Sequence, residues 1–424
     1  MPNLFTAQTF QNEYLPSGAG EVHAIMTVTA TEQVAASSPQ GRMFGIICDC
    51  SGSMEGQKII AARNAIIKLI QLLPDDCGFF IIAGEEMAHV VFPLSLAIPQ
   101  AKQRAVEAVR RIPARGGTFI SQWLIEAKRQ FEVAPSTIRQ ALLLTDGQND
   151  EKDAPYLMDA LSKCDGAFQC DCRGFGTDWN VEQLRKVATK LLGTTDMIPT
   201  PADIEADFRN ILSKAMSKAV GDVYIRLWSP KGARIKFCKE VSPHIIDLTS
   251  SAQERKPLTR DYPTGAWAQG ETRDYHFCIE VQPGAVGDEV LAGRASLVSI
   301  KGDVETKFAE GRILAIWTDD EAKSTKINRV VAHYTGQAEL AQSIQEGIEA
   351  RNRGDTERAT VLLGKAVRIA HGSGNAATEK LLRNVVDVQD PATGTVRLKR
   401  SVSKQDEMML ETRSTKTTRV VHQS

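Results

Sequence analysis

From Met43 to Ala219, short apolar runs alternate with amphipathic stretches of helical period, and this alternation narrows the fold more than any other feature of the chain. Met43–Cys48, Cys77–Ala83 and Gln140–Thr145 are nearly continuous in Ile, Leu, Phe and Cys, which predicts strands covered on both faces. Phe168–Phe175 adds another strand, and Ala88–Phe92 a short one at an edge. Between them, Gly56–Leu73, Gln100–Arg111, Tyr156–Lys163, Val181–Leu192 and Asp203–Ala219 have a helical pattern, as does a stretch ending near Phe131. In the first of these, Ile59, Ile60, Ala62, Ile66, Leu69 and Ile70 fall inward. Buried strands alternating with helices give an α/β fold with a doubly wound, mostly parallel sheet. Ligands bind such sheets beyond the carboxyl ends of the strands.

Three turns fall at that end. Ile46-Ile47-Cys48 stops at Asp49-Cys50-Ser51-Gly52-Ser53, where Asp49, Ser51 and Ser53 alternate and can aim their oxygens at one point. Hard oxygen donors with few fixed charges suit Mg²⁺. Read alone, the same turn could equally be a polar cap for the following helix. Arg115-Gly116-Gly117-Thr118 presents a hydroxyl from a glycine turn, and Leu142-Leu143-Leu144-Thr145-Asp146-Gly147 is another apolar run ending in an acid.

In this order and at these separations, the three segments resemble the metal-ion-dependent adhesion site of the von Willebrand factor A domain family, over roughly residues 40–218. The resemblance, to a bacterial intracellular type with every element of the site, implies a bound Mg²⁺ (or Mn²⁺). It sets Ser51, Ser53 and Thr118 around the ion, with Asp49 and Asp146 binding directly or through water. It also implies a protein partner that completes the metal shell with a carboxylate. Gly52, Gly116, Gly117 and Gly147 would keep the rim low enough for that side chain to reach the ion. Catalysis would need a base or nucleophile beside the metal. None of the seven histidines adjoins the three segments, and Asp150, Glu151 and Asp153 read as solvated loop charges. The expectation is therefore a binding protein with no catalytic residues, a scaffold or signalling adaptor. The alternatives are an accessory subunit of a separate ATPase, since the chain has no phosphate-binding Gly-x-x-x-x-Gly-Lys loop, or a metal-dependent hydrolase.

Outside this region the period changes. After Gly221, Asp222–Trp228, Ala233–Cys238, Arg273–Val281, Gly293–Ile300 and Val304–Ile316 alternate between Pro/Gly turns, which predicts a β-sandwich over residues 220–318. Val22, Ala24, Met26 and Val28 make residues 21–30 a half-buried strand with no partner nearby. Residues 1–39 are thus expected to lend a strand to the sandwich, with the A-type domain (40–219) inserted into it. Residues 319–387 have helical period and predict a small bundle, with helices over Ala322–Tyr334, Ala338–Arg353, Thr356–Ala370 and Ala376–Val386.

Residues 388–424 predict a flexible threonine-rich tail, disordered from Lys399. Thr417 and Thr418 have Val420 and Val421 three positions on. Resemblance to bacterial A-domain proteins with such termini suggests modification by a Ser/Thr kinase and reading by a forkhead-associated domain. A net charge of −1 over 424 residues argues against a nucleic-acid binder, and no apolar run reaches membrane-spanning length. With no secretory pattern at Met1-Pro2-Asn3-Leu4-Phe5 and eight cysteines that read as reduced thiols, the expected location is the cytoplasm.

Overall fold

The computed structural model describes residues 4–36, 41–134 and 138–420. They form two compact units. Unit 2 holds Val34–Asp222 and Gly265–Gln269, and unit 1 the remainder. The chain begins in unit 1 with β1 (Phe5–Gln11), β2 (Tyr14–Pro16) and β3 (Glu21–Ala30). Unit 2 opens with β4 (Arg42–Asp49), α1 (Gln57–Leu72), β5 (Cys77–Gly84), β6 (Ala88–Leu96), α2 (Pro99–Val109) and α3 (Ile120–Glu132). It continues with β7 (Ile138–Thr145), α4 (Ala154–Cys164), β8 (Gln169–Phe175), α5 (Val181–Lys190), β9 (Thr195–Ile198) and α6 (Ile204–Ser217).

The unit 2 sheet has the order β6-β5-β4-β7-β8-β9, parallel except for the edge strand β6. β4 lies between β5 and β7, with Cys48 level with Ala83 on one side and Leu144 on the other. Asp49 and Asp146 therefore emerge side by side. Phe44, Ile46, Cys48, Phe79 and Ile81 pack on Ile59, Ile66 and Ile70 of α1 and on Phe208 and Ile211 of α6, all nearly solvent-free. Each such side chain stabilises the fold by about 1.5–3 kcal/mol relative to exposure. Phe80 meets Phe131 of α3 edge-on at 4.8 Å between centroids. A Cβ at Gly84 would lie 2.4 Å from the Trp123 ring, so only glycine lets α3 close on the end of β5.

β10 (Lys218–Trp228) carries the chain back to unit 1. There follow β11 (Arg234–Ser242), β12 (Ile246–Asp247), β13 (Gln253–Lys256), β14 (Thr259–Ala268), β15 (Thr272–Glu280), β16 (Glu289–Lys301) and β17 (Val304–Thr318). They build a β-sandwich with sheets ordered β1-β3-β15-β11-β12 and β13-β14-β10-β16-β17-β2. β3 is paired along its length, with β1 on one side and β15 on the other, Glu21 opposite Glu280 and Thr29 opposite Thr272.

The last elements are α7 (Glu321–Ser324), α8 (Arg329–Asn352), α9 (Thr356–Gly372), α10 (Ala376–Val385), β18 (Val386–Asp390), β19 (Thr395–Leu398) and α11 (Lys404–Arg413). Two expectations are corrected here. The stretches read as separate helices, Ala322–Tyr334 and Ala338–Arg353, are not divided near Gly336. α8 starts at the Asn328 cap and runs through that glycine, whose cost of about 1 kcal/mol is offset by buried Tyr334, Leu340 and Ile344.

The second correction concerns the flexible tail. α11 is ordered, and Leu410 sits fully buried among Leu340, Ile344, Leu363 and Leu382. Residues beyond it lie along β11 and β12. Ile245 N–H donates to Thr415 O at 2.8 Å, Thr417 Oγ1 donates to Val241 O at 2.7 Å, and a His333 ring nitrogen lies 2.7 Å from Thr418 O. Neither Thr417 nor Thr418 is a free linear motif in this arrangement. Val421 lies outside the described residues. Among the described residues, no helix is long and apolar enough to cross a membrane.

Candidate metal centre

The strand ends decide which side chains meet. β4 delivers Asp49, and the turn after it is held down by Cys50 N–H to Gly84 O at 2.8 Å and Gly52 N–H to Gly116 O at 3.0 Å. The second bond fastens the Ser51–Ser53 turn to the Gly116-Gly117-Thr118 turn. Gly116 has φ near +76°, a conformation that glycine adopts without strain. Asp150 N–H donates to Thr118 O at 2.8 Å, tying the second turn to the third.

The five oxygen-bearing side chains lie close together. Ser51 Oγ is 3.0 Å from Ser53 Oγ, which donates to Asp146 Oδ1 at 2.6 Å. A Cβ placed on Gly147 would lie 3.1 Å from Thr118 Oγ1, 3.6 Å from Ser53 Oγ and 3.8 Å from Asp49 Oδ2. Oxygens from the first two turns thus surround a point that glycine leaves open, and Asp146 of the third turn joins them through Ser53. The donors are two carboxylates and three hydroxyls, the set a hard divalent ion takes. On both counts the residues fit such an ion.

Charge sharpens the picture. Asp49 and Asp146 are both fully buried. Asp49 is held by neutral donors, with Oδ1 taking the Ser51 N–H at 2.8 Å and Oδ2 the Thr145 hydroxyl. Burial pushes its carboxyl up to about 6, against the pull of those hydrogen bonds. Asp146 Oδ2 takes the ammonium of Lys58, from the first turn of α1. Of the two buried carboxylates, only Asp146 is paired with a cation.

Several contributors were not legible in the sequence. Lys58 looked like any helix-surface lysine, and Thr145 like the last residue of a buried strand. Asp153 is buried rather than solvated, and accepts from both the backbone N–H (2.9 Å) and the hydroxyl of Ser121. It stands at the cap position of α4 without capping that helix, so no local signal announced its bond to Ser121. Asn149 Oδ1 accepts from Ile120 N–H at 2.9 Å and so fixes the start of α3. Glu85 sits beside Gly116, paired with Arg115 at 3.2 Å, with a His89 ring nitrogen 3.8 Å away.

Comparison with known proteins adds lineage to this geometry. Residues 45–197 match the family model for the von Willebrand factor type A domain, and residues 368–414 match that for the von Willebrand factor type A C-terminal domain. A solved von Willebrand factor type A structure from Catenulispora acidiphila is 46% identical, with a TM-score of 0.92 over 98% of this chain and 97% of that one. The chain belongs to the von Willebrand factor type A family.

The ArnB paralog VWA2 of Sulfolobus acidocaldarius shares the fold over 97% of this chain and 98% of its own, with a TM-score of 0.59 at 12% identity. Among curated relatives, an uncharacterized protein of Synechocystis is 26% identical over 215 residues, 49% of this chain and 50% of that protein. Inter-alpha-trypsin inhibitor heavy chain H3 of Mesocricetus auratus is 25% identical over 263 residues, 58% of this chain and 30% of that protein. The chain spans half or less of the length of these curated relatives. Von Willebrand A domains generally mediate protein–protein interaction, in many cases through a metal, and are mostly interaction modules rather than enzymes. The C-terminal match ends within the segment first read as a tail, so α10 and α11 fall inside a recurring module.

Proposed function

We propose that this chain is a metal-dependent protein-interaction protein, and that Asp49, Ser51, Ser53, Thr118 and Asp146 hold one Mg²⁺ or Mn²⁺ at the rim of unit 2. The observation that carries this reading is the convergence of five oxygen-bearing side chains from three turns, with Thr118, Ser53 and Asp49 around the space above Gly147 and Ser51 and Asp146 each in contact with Ser53. The ion would supply a Lewis-acidic position for a carboxylate oxygen. The chain's residues do the rest. The buried carboxylates set the charge, the three hydroxyls orient without adding charge, and the glycine turns leave an approach for a partner's Asp or Glu. The partner would be a protein, selected by the loops around Met54–Gln57, Phe119–Gln122 and Gln148–Lys152. Nearby acids are engaged structurally, Asp153 by Ser121 and Glu85 by Arg115, which favours binding over catalysis. Eight buried free thiols support a reducing, cytoplasmic setting.

Calorimetric titration of the full chain with Mn²⁺ tests the assignment. Wild type is expected to bind one ion at this rim. Asp49→Ala is expected to lose at least tenfold in affinity while keeping its far-ultraviolet spectrum. Equal affinity in the two proteins would remove the site.

A further inference from the structure

A second group of ligand-type side chains lies in unit 1 and shares no residue with the rim. On β3, Val22 and Ala24 are fully buried against the sandwich core, so strand alternation turns Glu21 and His23 to the opposite face. Register then places Cys278 of β15 directly across from His23. Cys278 Sγ lies 3.7 Å from Glu21 Oε2 and 3.8 Å from His23 Nε2, and those two atoms are 4.0 Å apart.

These separations are close to those of one tetrahedral ion. Zinc bonds of about 2.3 Å to sulfur and about 2.0–2.2 Å to nitrogen and oxygen give edges of roughly 3.6 Å to sulfur and 3.4 Å between nitrogen and oxygen. Small side-chain rotations cover the difference. The surroundings also suit a ligand role. His23 Nδ1 lies 3.1 Å from Nε2 of His276, a buried ring packed edge-on at 5.0 Å from Phe237. With the proton on Nδ1 donated to His276, the lone pair of His23 Nε2 faces Cys278 and Glu21, as a metal-ligating histidine oriented by a neighbour requires. Glu21 Oε1 is taken by Lys236 at 2.6 Å, which turns Oε2 toward the sulfur.

We propose that Glu21, His23 and Cys278 form a zinc site with three protein ligands and a fourth position open to solvent. A thiolate, a carboxylate and an imidazole match the ligand set of zinc better than that of Mg²⁺. The Cys278 thiol gives its proton to solvent as the metal–sulfur bond forms, and carboxylate plus thiolate balance the two positive charges. Lys236 faces the site from β11, with Lys239 and the Arg234–Glu280 pair flanking it, and the Lys236 ammonium moderates the affinity. Glu21 and His23 remain partly exposed, at 47% and 34% of their side chains, which leaves the ion a way in.

Cobalt(II) is the probe, added to the full chain in excess Mg²⁺. One Co²⁺ is expected to give a thiolate charge-transfer band that zinc abolishes, unchanged in Asp49→Ala, which separates it from the rim and its neighbouring Cys48 and Cys50. Cys278→Ser should lose the band. His23→Gln and Glu21→Gln should each weaken Co²⁺ binding at least tenfold, and these two decide the matter if the buried cysteine variant fails to fold. His276→Phe should weaken binding about 10–100-fold while keeping the band. Absence of the band in wild type, its persistence in Cys278→Ser, or undiminished Co²⁺ affinity in both His23→Gln and Glu21→Gln overturns the proposal.

Discussion

Lys58 enters the rim from the first turn of α1 and places its ammonium on Asp146, so a positive charge already sits where a divalent ion would need the carboxylate. Replacing it with Met keeps the length and removes the charge, which has opposite effects on two measurements. In EDTA, Lys58→Met leaves a buried carboxylate without its cation and should destabilise unit 2 by about 2 kcal/mol in urea unfolding. In Mn²⁺ titrations the same variant should bind at least about fivefold tighter at low salt, with the gain shrinking as ionic strength rises. Unchanged affinity would mean that the ammonium plays no part in setting the site's charge. The proposed ligands could be named from sequence because each lies at or just after the end of an apolar run or a glycine pair. Lys58 could not, since a lysine in a helix-patterned segment is usually on a solvated face. Glu21, His23 and Cys278 were hidden for another reason: their meeting depends on the register of two strands far apart in the chain.

Among the elements, strands buried on both faces were the easiest to read, because β4, β5 and β7 must be apolar almost throughout. α11 was the hardest. Its sequence, Lys404 to Arg413, has three consecutive apolar residues and no stripe, so periodicity was silent although Met408 and Leu410 are buried. A local signal was present in Ser403-x-x-Asp406. Ser403 Oγ accepts from the Asp406 backbone N–H at 3.1 Å, while Asp406 Oδ2 lies 2.5 Å from the same hydroxyl. The burial of Leu410 has a measurable consequence. Leu410→Ala should cost about 2–5 kcal/mol, read as a lower urea midpoint with faster amide exchange in α8, α9 and α10. A flexible tail would show neither change. Any kinase or phosphothreonine reader acting on Thr417 would first have to lift residues 414–419 from the sheet, so Leu410→Ala also separates a docked terminus from an available one.

For the whole molecule, the significant fact is chain order: unit 2 is encoded between β3 and the strands that β3 needs. The alternation of Val22, Ala24, Met26 and Val28 announced a strand with one buried face, but alternation alone does not say which distant strand it pairs with. Deleting residues 1–33 removes β1, β2 and β3 and leaves β15 with an open edge, so unit 1 should lose its cooperative transition in differential scanning calorimetry. Unit 2, which begins at Val34, should keep Mn²⁺ affinity within about twofold of the full chain, since RT ln 2 is under 1 kcal/mol. Two intact transitions in the truncated protein would show that the early strands are dispensable.

The pairing of β3 with β15 also governs how the protein is made. Glu21 leaves the ribosome about 260 residues before Glu280, its partner across the sheet. At roughly 5–20 residues per second that gap lasts about 13–50 s. For that interval β3 has β1 to pair with but leaves the edge meant for β15 open, while all of unit 2 emerges and can fold behind it. The open edge of β3 is therefore a point at which the newly synthesised chain is exposed to aggregation and to chaperone capture.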